Sequence, residues 1–235
     1  MLTLLYHRIG EGKFSNKLEM MERHLEWISK RFQTVLPKES MKGGICLTFD
    51  DASFDFYHYV FPLLQKYKMR ALLGVTTRYI LDKSSLEAEE RLSVPYSLAM
   101  QDGFFDSKAP FCTWEELLEM VLSGHVQVAS HSHMHCNLTF PFVDLNREVV
   151  KSRDILEARL PQVVDSFIYP FGQVNERVHT FVSMHYAHAF RIGNGANYTW
   201  NRKKPLMRIV ADNMKSPTEF FSTAKRWKYA LKGLC

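Results

Sequence analysis

The sequence predicts an α/β fold, a distorted or incomplete (β/α)7 TIM-like barrel, on three observations. Seven short apolar runs recur along the chain, helical patterns separate them, and clusters of titratable residues stand where the runs end. The runs cover residues 2–6, 45–49, 71–75, 126–129, 166–169 and 187–190, with a weaker seventh at 207–210. Each is too short for a core helix and apolar enough to be buried on both faces, as strands of a parallel sheet are. Helical patterns occupy 17–30, 56–67, 113–122, 144–160, 175–184 and 218–231. Strands and helices in alternation imply a parallel sheet, because a parallel neighbour is reached only by a crossover long enough to hold a helix. A length of 235 residues fits one such domain over 1–235.

The opening run, Leu2-Thr-Leu-Leu-Tyr6, delivers His7 to a strand end, and Ile45-Cys-Leu-Thr-Phe49 delivers Asp50 and Asp51 in the same way. The third run leads into 81–111, which lacks periodicity and mixes charge with Pro95, Gly103 and Pro110. Both an excursion at an active-site rim and a plain surface loop fit that stretch. Thr113 and Glu116 form a capping-box pattern, and Gly124 stands where the 113–122 helix should stop. Val126-Gln-Val-Ala129 ends in Ser130-His131-Ser-His133-Met-His135. The later runs end in Tyr169-Pro170-Phe171-Gly172 and in a Gly-rich loop from Phe190 through Asn194 and Tyr198 to Trp200. In barrels of this kind the chemistry gathers at the carboxyl ends of the strands.

A composition of 46% hydrophobic and 23% charged residues is that of a globular protein rather than a disordered one. The net charge of +5 comes from scattered Lys and Arg with no basic run interleaved with aromatics, so no nucleic-acid partner is expected. The last helical pattern, with Lys225, Arg226, Lys228 and Lys232, has two readings: a solvated face, or peripheral contact with phosphate or anionic lipid. Cys46, Cys112, Cys136 and Cys235 include no CxxC, which suggests reduced thiols rather than a zinc knuckle or disulfide framework. No basic leader or long apolar stretch is present; a cytoplasmic protein without a transmembrane segment is expected.

Adjacent carboxylates at the end of a buried strand repel, so one must be paired, protonated or bound to a cation. A helix-capping Asp beside a solvated one would also satisfy that requirement. Three imidazoles in five residues at another strand end favour the cation. One carboxylate and two histidines give three protein ligands and leave an open position, as catalytic zinc sites do.

Thr48-Phe49-Asp50-Asp51 with His131-Ser132-x-x-His135 resembles the first two signatures of the NodB-type polysaccharide deacetylases, carbohydrate esterase family 4. The Thr113-Trp114-Glu115-Glu116-Leu117 segment is similar too, and the likeness runs from about Leu4 to Ile209. The resemblance implies that Asp50 is the general base and that Asp51, His131 and His135 bind a divalent metal. Zn²⁺ is the expected ion, with Co²⁺, Ni²⁺ or Mn²⁺ as alternatives. It leaves His133 as a bystander and assigns the Phe171 backbone N–H to the oxyanion. Two departures stand out. Ile168 replaces an Arg that steadies the base in many members, and Arg208 is the expected substitute. The late Leu-x-His element is missing, and Tyr6-His7 resembles the corresponding element of a permuted subgroup, which implies His7 as general acid. Tyr169, Pro170, Asn194 and Trp200 are the expected substrate-binding residues.

The implied activity is hydrolysis of an N-acyl group, acetyl first, from a sugar or glycan, with a nucleotide- or lipid-linked intermediate of O-antigen or capsule assembly as the expected substrate. Deformylation, O-deacetylation and a non-catalytic sugar-binding protein on the same fold are the competing readings. A glycosidase fits poorly, since its carboxylates must flank the scissile bond about 5 to 9.5 Å apart.

Overall fold

The seven apolar runs form seven parallel strands in a computed structural model that describes residues 1–200 and 204–234. They are β1 (Leu2–Tyr6), β2 (Gly44–Phe49), β3 (Ala71–Val75), β4 (Val126–Ser130), β5 (Ser166–Ile168), β6 (His188–Ile192) and β7 (Leu206–Val210). β1 pairs with β7 on one side and β2 on the other, which closes a (β/α)7 TIM-like barrel as expected. Register is set by pairs such as Leu4 with Ile209 and Leu5 with Thr48. A two-residue strand, Gln33–Thr34, pairs with the start of β2.

Alternating side chains divide the core into two layers. Leu4, Tyr6, Leu47, Phe49, Leu73, Val128 and Phe167 join the layer shared with the helices, including Met21, Leu25 and Ile28 of α1 (Leu18–Ser29). Leu72, Ala129, Ile168, Phe190 and Leu206 fill a second cluster inside the barrel. Each fully buried large side chain contributes about 1.5–3 kcal/mol.

The other helices between or after the strands are α2 (Phe61–Lys66), α3 (Trp114–Leu122), α4 (Ser152–Arg159), α5 (Glu176–His185) and α6 (Thr223–Leu234), and the 81–111 excursion adds three short ones, Ala88–Leu92, Tyr96–Ala99 and Phe105–Lys108. Two of the expected helices open with a wider i→i+5 turn, Phe56–Val60 before α2 and Asn146–Lys151 before α4. α6 starts five residues later than the sequence pattern suggested, because Thr218–Phe221 closes a separate turn and Ser222 Oγ accepts the Lys225 N–H at 3.4 Å. The capping box of α3 forms as predicted.

The 81–111 excursion is held by one buried cation. The Arg91 guanidinium donates to the carbonyls of Ala109 and Phe111, both at 2.8 Å, and to the carboxylate of Glu116, and it stacks over Phe54. Glu116 therefore caps α3 and anchors the excursion to it. Cys46, Cys112 and Cys136 are unpaired thiols, and Cys235 lies outside the described residues. No described helix is long and apolar enough to cross a membrane.

Candidate active site

The titratable residues at the strand ends meet in one cleft of about 290 Å³, lined by His7, Phe14, Asp50, Tyr96, His131, His135, Phe171, Gly172, Ile192 and Val210. Hollows of similar size lie elsewhere, so the cluster of side chains, rather than volume, marks this cleft.

The two neighbouring aspartates have opposite surroundings. Asp50 extends the β2 ladder, its N–H donating to the Tyr6 carbonyl at 2.9 Å. Its carboxylate receives a forked pair of bonds from Arg208 on β7, Nη1 to Oδ1 at 2.6 Å and Nη2 to Oδ2 at 2.9 Å. Arg208 is fully buried, so the sequence reading of it as the substitute for the missing Arg has its geometric counterpart, whereas Ile168 packs as a core residue. Burial pushes the Asp50 pKa up, but the Arg208 charge, then His131 and the hydrogen bonds, outweigh it and hold it down at about 2.

Asp51 Oδ2 accepts a bond from the Tyr96 hydroxyl at 2.9 Å, while its Oδ1 is buried with no hydrogen-bond donor. That oxygen lies 3.5 Å from His131 Nε2 and 3.4 Å from His135 Nε2. Ligands held about 2.0–2.1 Å from a tetrahedral ion sit roughly 3.3 Å apart, so the donor set fits a divalent cation. His131 Nδ1 faces the Ile168 carbonyl at 2.9 Å and must donate to it, which leaves the Nε2 lone pair for the cluster. Burial, the largest influence, lowers the His131 pKa to about 4, so the imidazole is neutral and ready to coordinate.

His7 stands on the other side of Asp50, its Nε2 3.9 Å from Asp50 Oδ2. Asp212 holds it with both oxygens, Oδ2 to the ring Nδ1 at 2.7 Å and Oδ1 to the backbone N–H at 3.1 Å. Burial alone would lower the His7 pKa; the Asp212 bond and the charges of Asp50, Asp212 and Asp51 overcome it and raise the value to about 9.

The backbone around the cluster is strained. Asp51, Ser132, His135 and Phe171 all lie in the left-handed region, at φ of 72, 68, 56 and 58°. Such residues cost on the order of 1–3 kcal/mol each and persist where surrounding bonds hold them. Here the buried Glu148 accepts the Met134 N–H at 2.8 Å and Ser132 Oγ accepts the His135 N–H at 3.0 Å. Phe171 leans its ring edge-on to His135, 4.7 Å between centroids, and lines the cleft. Gly74 on β3 makes room: a Cβ there would lie 3.0 Å from Ile168 and 3.4 Å from both Asp50 and His131.

Five residues singled out in the sequence do not line the cleft. His133 bonds Thr77 at 2.8 Å, outside the cluster, as a bystander should. Tyr169 is fully buried with its hydroxyl on His179, so its side chain faces the helical layer rather than the cleft; Pro170 is also buried and shapes the turn. Asn194 spends its carbonyl on the Val210 N–H at 3.3 Å and helps dock β7. Trp200 packs against His188 and Phe190 and donates to the Glu39 carbonyl at 2.6 Å, at the starting end of the strands. The correction is topological: β7 runs parallel to β6, so the loop between them must return to the far end before β7 begins. Two contributors escaped the sequence reading. Asp212 follows β7 directly and the strand-end rule could have found it, whereas Tyr96, inside the aperiodic excursion, carried no signal.

A family model described as polysaccharide deacetylase matches residues 38–188. YxkH of Bacillus subtilis, classed by name among the polysaccharide deacetylases, is 25% identical over 190 residues, covering 74% of this chain and 57% of that protein. This chain thus spans little more than half of that relative. The Streptococcus pyogenes deacetylase PplD superposes with a TM-score of 0.73 at 20% identity, over 97% of each chain. A de-N-acetylase of Aggregatibacter actinomycetemcomitans gives 0.72 at 16% identity, over 97% of this chain and 98% of that one. At these identities the superpositions speak for the fold.

Proposed function

Since the chain belongs to the polysaccharide deacetylase family, we propose that it hydrolyses an N-acyl group, most simply acetyl, from a sugar or glycan, with residues 1–235 acting as one domain. The observation that carries this reading is the convergence of Asp51, His131 and His135 beside an Asp50 locked by Arg208. Asp51, His131 and His135 would hold the cation, with Zn²⁺ as our choice of metal. When bound, such an ion supplies Lewis-acid polarisation of an acyl carbonyl and draws the pKa of water from about 15.7 toward roughly 7–9.

The chain's own groups divide the remaining work. Asp50, ionised and aimed by the Arg208 fork, accepts the proton of the attacking water. The Phe171 N–H, at the strained turn, donates to the oxyanion of the tetrahedral intermediate. His7 is protonated at neutral pH and gives its Nε2 proton to the departing amine, while Asp212 keeps the ring in place. Tyr96 stays a hydroxyl, its pKa raised by burial and by Asp51, and fixes the ligand oxygen it bonds. As substrate we favour an intracellular nucleotide- or lipid-linked sugar of surface-polysaccharide assembly.

The test is a product assay on an N-acetylated sugar oligomer and a nucleotide-linked N-acetyl sugar. Equal release of acetate and primary amine is expected, and Asp50→Asn should lower turnover about 10²–10⁴-fold while retaining the divalent ion. A new reducing end without acetate, or an Asp50→Asn variant with unchanged turnover, would overturn the reading.

A further inference from the structure

α6 carries a surface that the proposed chemistry does not use. Trp227, Leu231 and Leu234 are 67, 61 and 73% exposed. Their spacing of i, i+4 and i+7 on a 3.6-residue helix places them in a single outward stripe. Tyr229 is buried on the opposite side, where its carbonyl accepts the Ala196 N–H at 2.9 Å. The helix is therefore seated with its more apolar stripe turned to solvent, the reverse of an ordinary surface helix.

Charge accompanies the stripe. Lys228 and Lys232 run along one flank and Arg226 along the other, all exposed, and Thr223–Leu234 contains no acidic residue. Lys225 is the member turned inward, bonded to Glu219 at 3.0 Å. An apolar ridge holding a Trp and bordered on both sides by cations matches the layered chemistry of an anionic bilayer surface: acyl chains beneath, an interface that suits indole, and phosphate above. A second protein would have to offer acidic groups on both sides of a long apolar groove to match it equally.

We propose that α6 is a membrane-docking helix, lying in the plane of an anionic lipid surface with Trp227, Leu231 and Leu234 below the headgroups and Arg226, Lys228 and Lys232 on the phosphates. Its place in the fold sets the orientation. α6 is bonded to Ala196 and borders a hollow with Met1 and Leu2 at the starting end of the strands, whereas the candidate active site opens at their carboxyl ends. Docking through α6 leaves that cleft facing away from the bilayer, which favours the nucleotide-linked over the lipid-linked substrate, and the docking itself holds whether or not the deacylation reading is correct.

The experiment is flotation of the purified full chain with vesicles of phosphatidylcholine alone or mixed with phosphatidylglycerol. The wild type floats with the anionic vesicles only and is released at about 0.5 M salt, where screening shortens to roughly 4 Å. Trp227→Ala/Leu231→Ala/Leu234→Ala cuts the bound fraction about tenfold, and Lys228→Glu/Lys232→Glu does likewise. Circular dichroism and the melting curve of both variants stay at wild type, since the substituted side chains face solvent. Absence of flotation, equal binding to neutral vesicles, or a triple variant that floats like the wild type would overturn the proposal. So would a wild type that stays off vesicles and dimerises in solution through this stripe.

Discussion

The two ends of this barrel solve opposite problems with the same strands. At the starting end, Leu36, Leu72, Phe190, Leu206 and Trp200 seal the interior with apolar packing, and the Trp200 indole N–H finds a carbonyl. At the carboxyl end the strands deliver His7, Asp50, Asp51, His131 and Asp212 into a buried space, where an Asp51 oxygen is left without a donor. Buried acceptors are ordinarily satisfied, since an orphan costs about 1–3 kcal/mol. One end is closed by apolar packing, whereas the other holds a buried Asp51 oxygen that faces two imidazoles and no donor.

Substitutions at each end should separate the two designs. The largest stability loss is expected at Arg208, which crosses the interior to reach Asp50. Arg208→Ala strands a buried carboxylate and should destabilise the fold by about 3–5 kcal/mol in chemical denaturation. The pH dependence has a defined sign. The folded Asp50 pKa is depressed from 3.8 to about 2, so its stabilising contribution is present above 3.8 and is lost as pH falls through about 2. In Arg208→Ala the acid limb should move to higher pH; a variant as stable and as acid-resistant as the wild type would break the contrast.

Trp200→Ala should cost about 1–3 kcal/mol through the lost packing and indole bond, with KM unchanged. A raised KM with unaltered stability would return Trp200 to the substrate site where the sequence placed it.

Asp212→Asn should act on the other end, and below about pH 6.5 it should lower stability by the part of the His7 shift that Asp212 supplies. In the metal-free protein an NMR titration of His7 is expected to fall at about 9, above the ordinary 6.5, because Asp212 and Asp50 act against burial. Its stabilising effect is full below 6.5 and fades as pH rises through about 9. Removing the Asp212 charge should bring that titration down by roughly one to two units, about 1.4–2.7 kcal/mol. An unmoved His7 resonance would contradict the assigned pairing.

The barrel was legible because its strands are short, mostly apolar runs separated by helical patterns, and all seven lie within a few residues of the predicted positions. Asp50, Asp51, His131 and His135 were legible because short-range spacing fixes them at two strand ends. Arg208 needed the resemblance, since nothing in a lone Arg reveals that it crosses the interior. Trp200 and Tyr169 were misplaced for one reason: aromatic content says that a ring will be buried or stacked, and only topology and strand alternation say on which side. Tyr96 depends on an excursion whose path is set by Arg91, a long-range contact without local periodicity.

Equilibrium binding of Zn²⁺ to chelator-treated protein decides whether Asp51, His131 and His135 form a single cation site. Saturation at a single ion per chain is expected for the wild type and for Asp50→Asn, with at least about 100-fold weaker binding in His131→Ala and His135→Ala. Histidine variants that take up the ion as tightly as the wild type would contradict it.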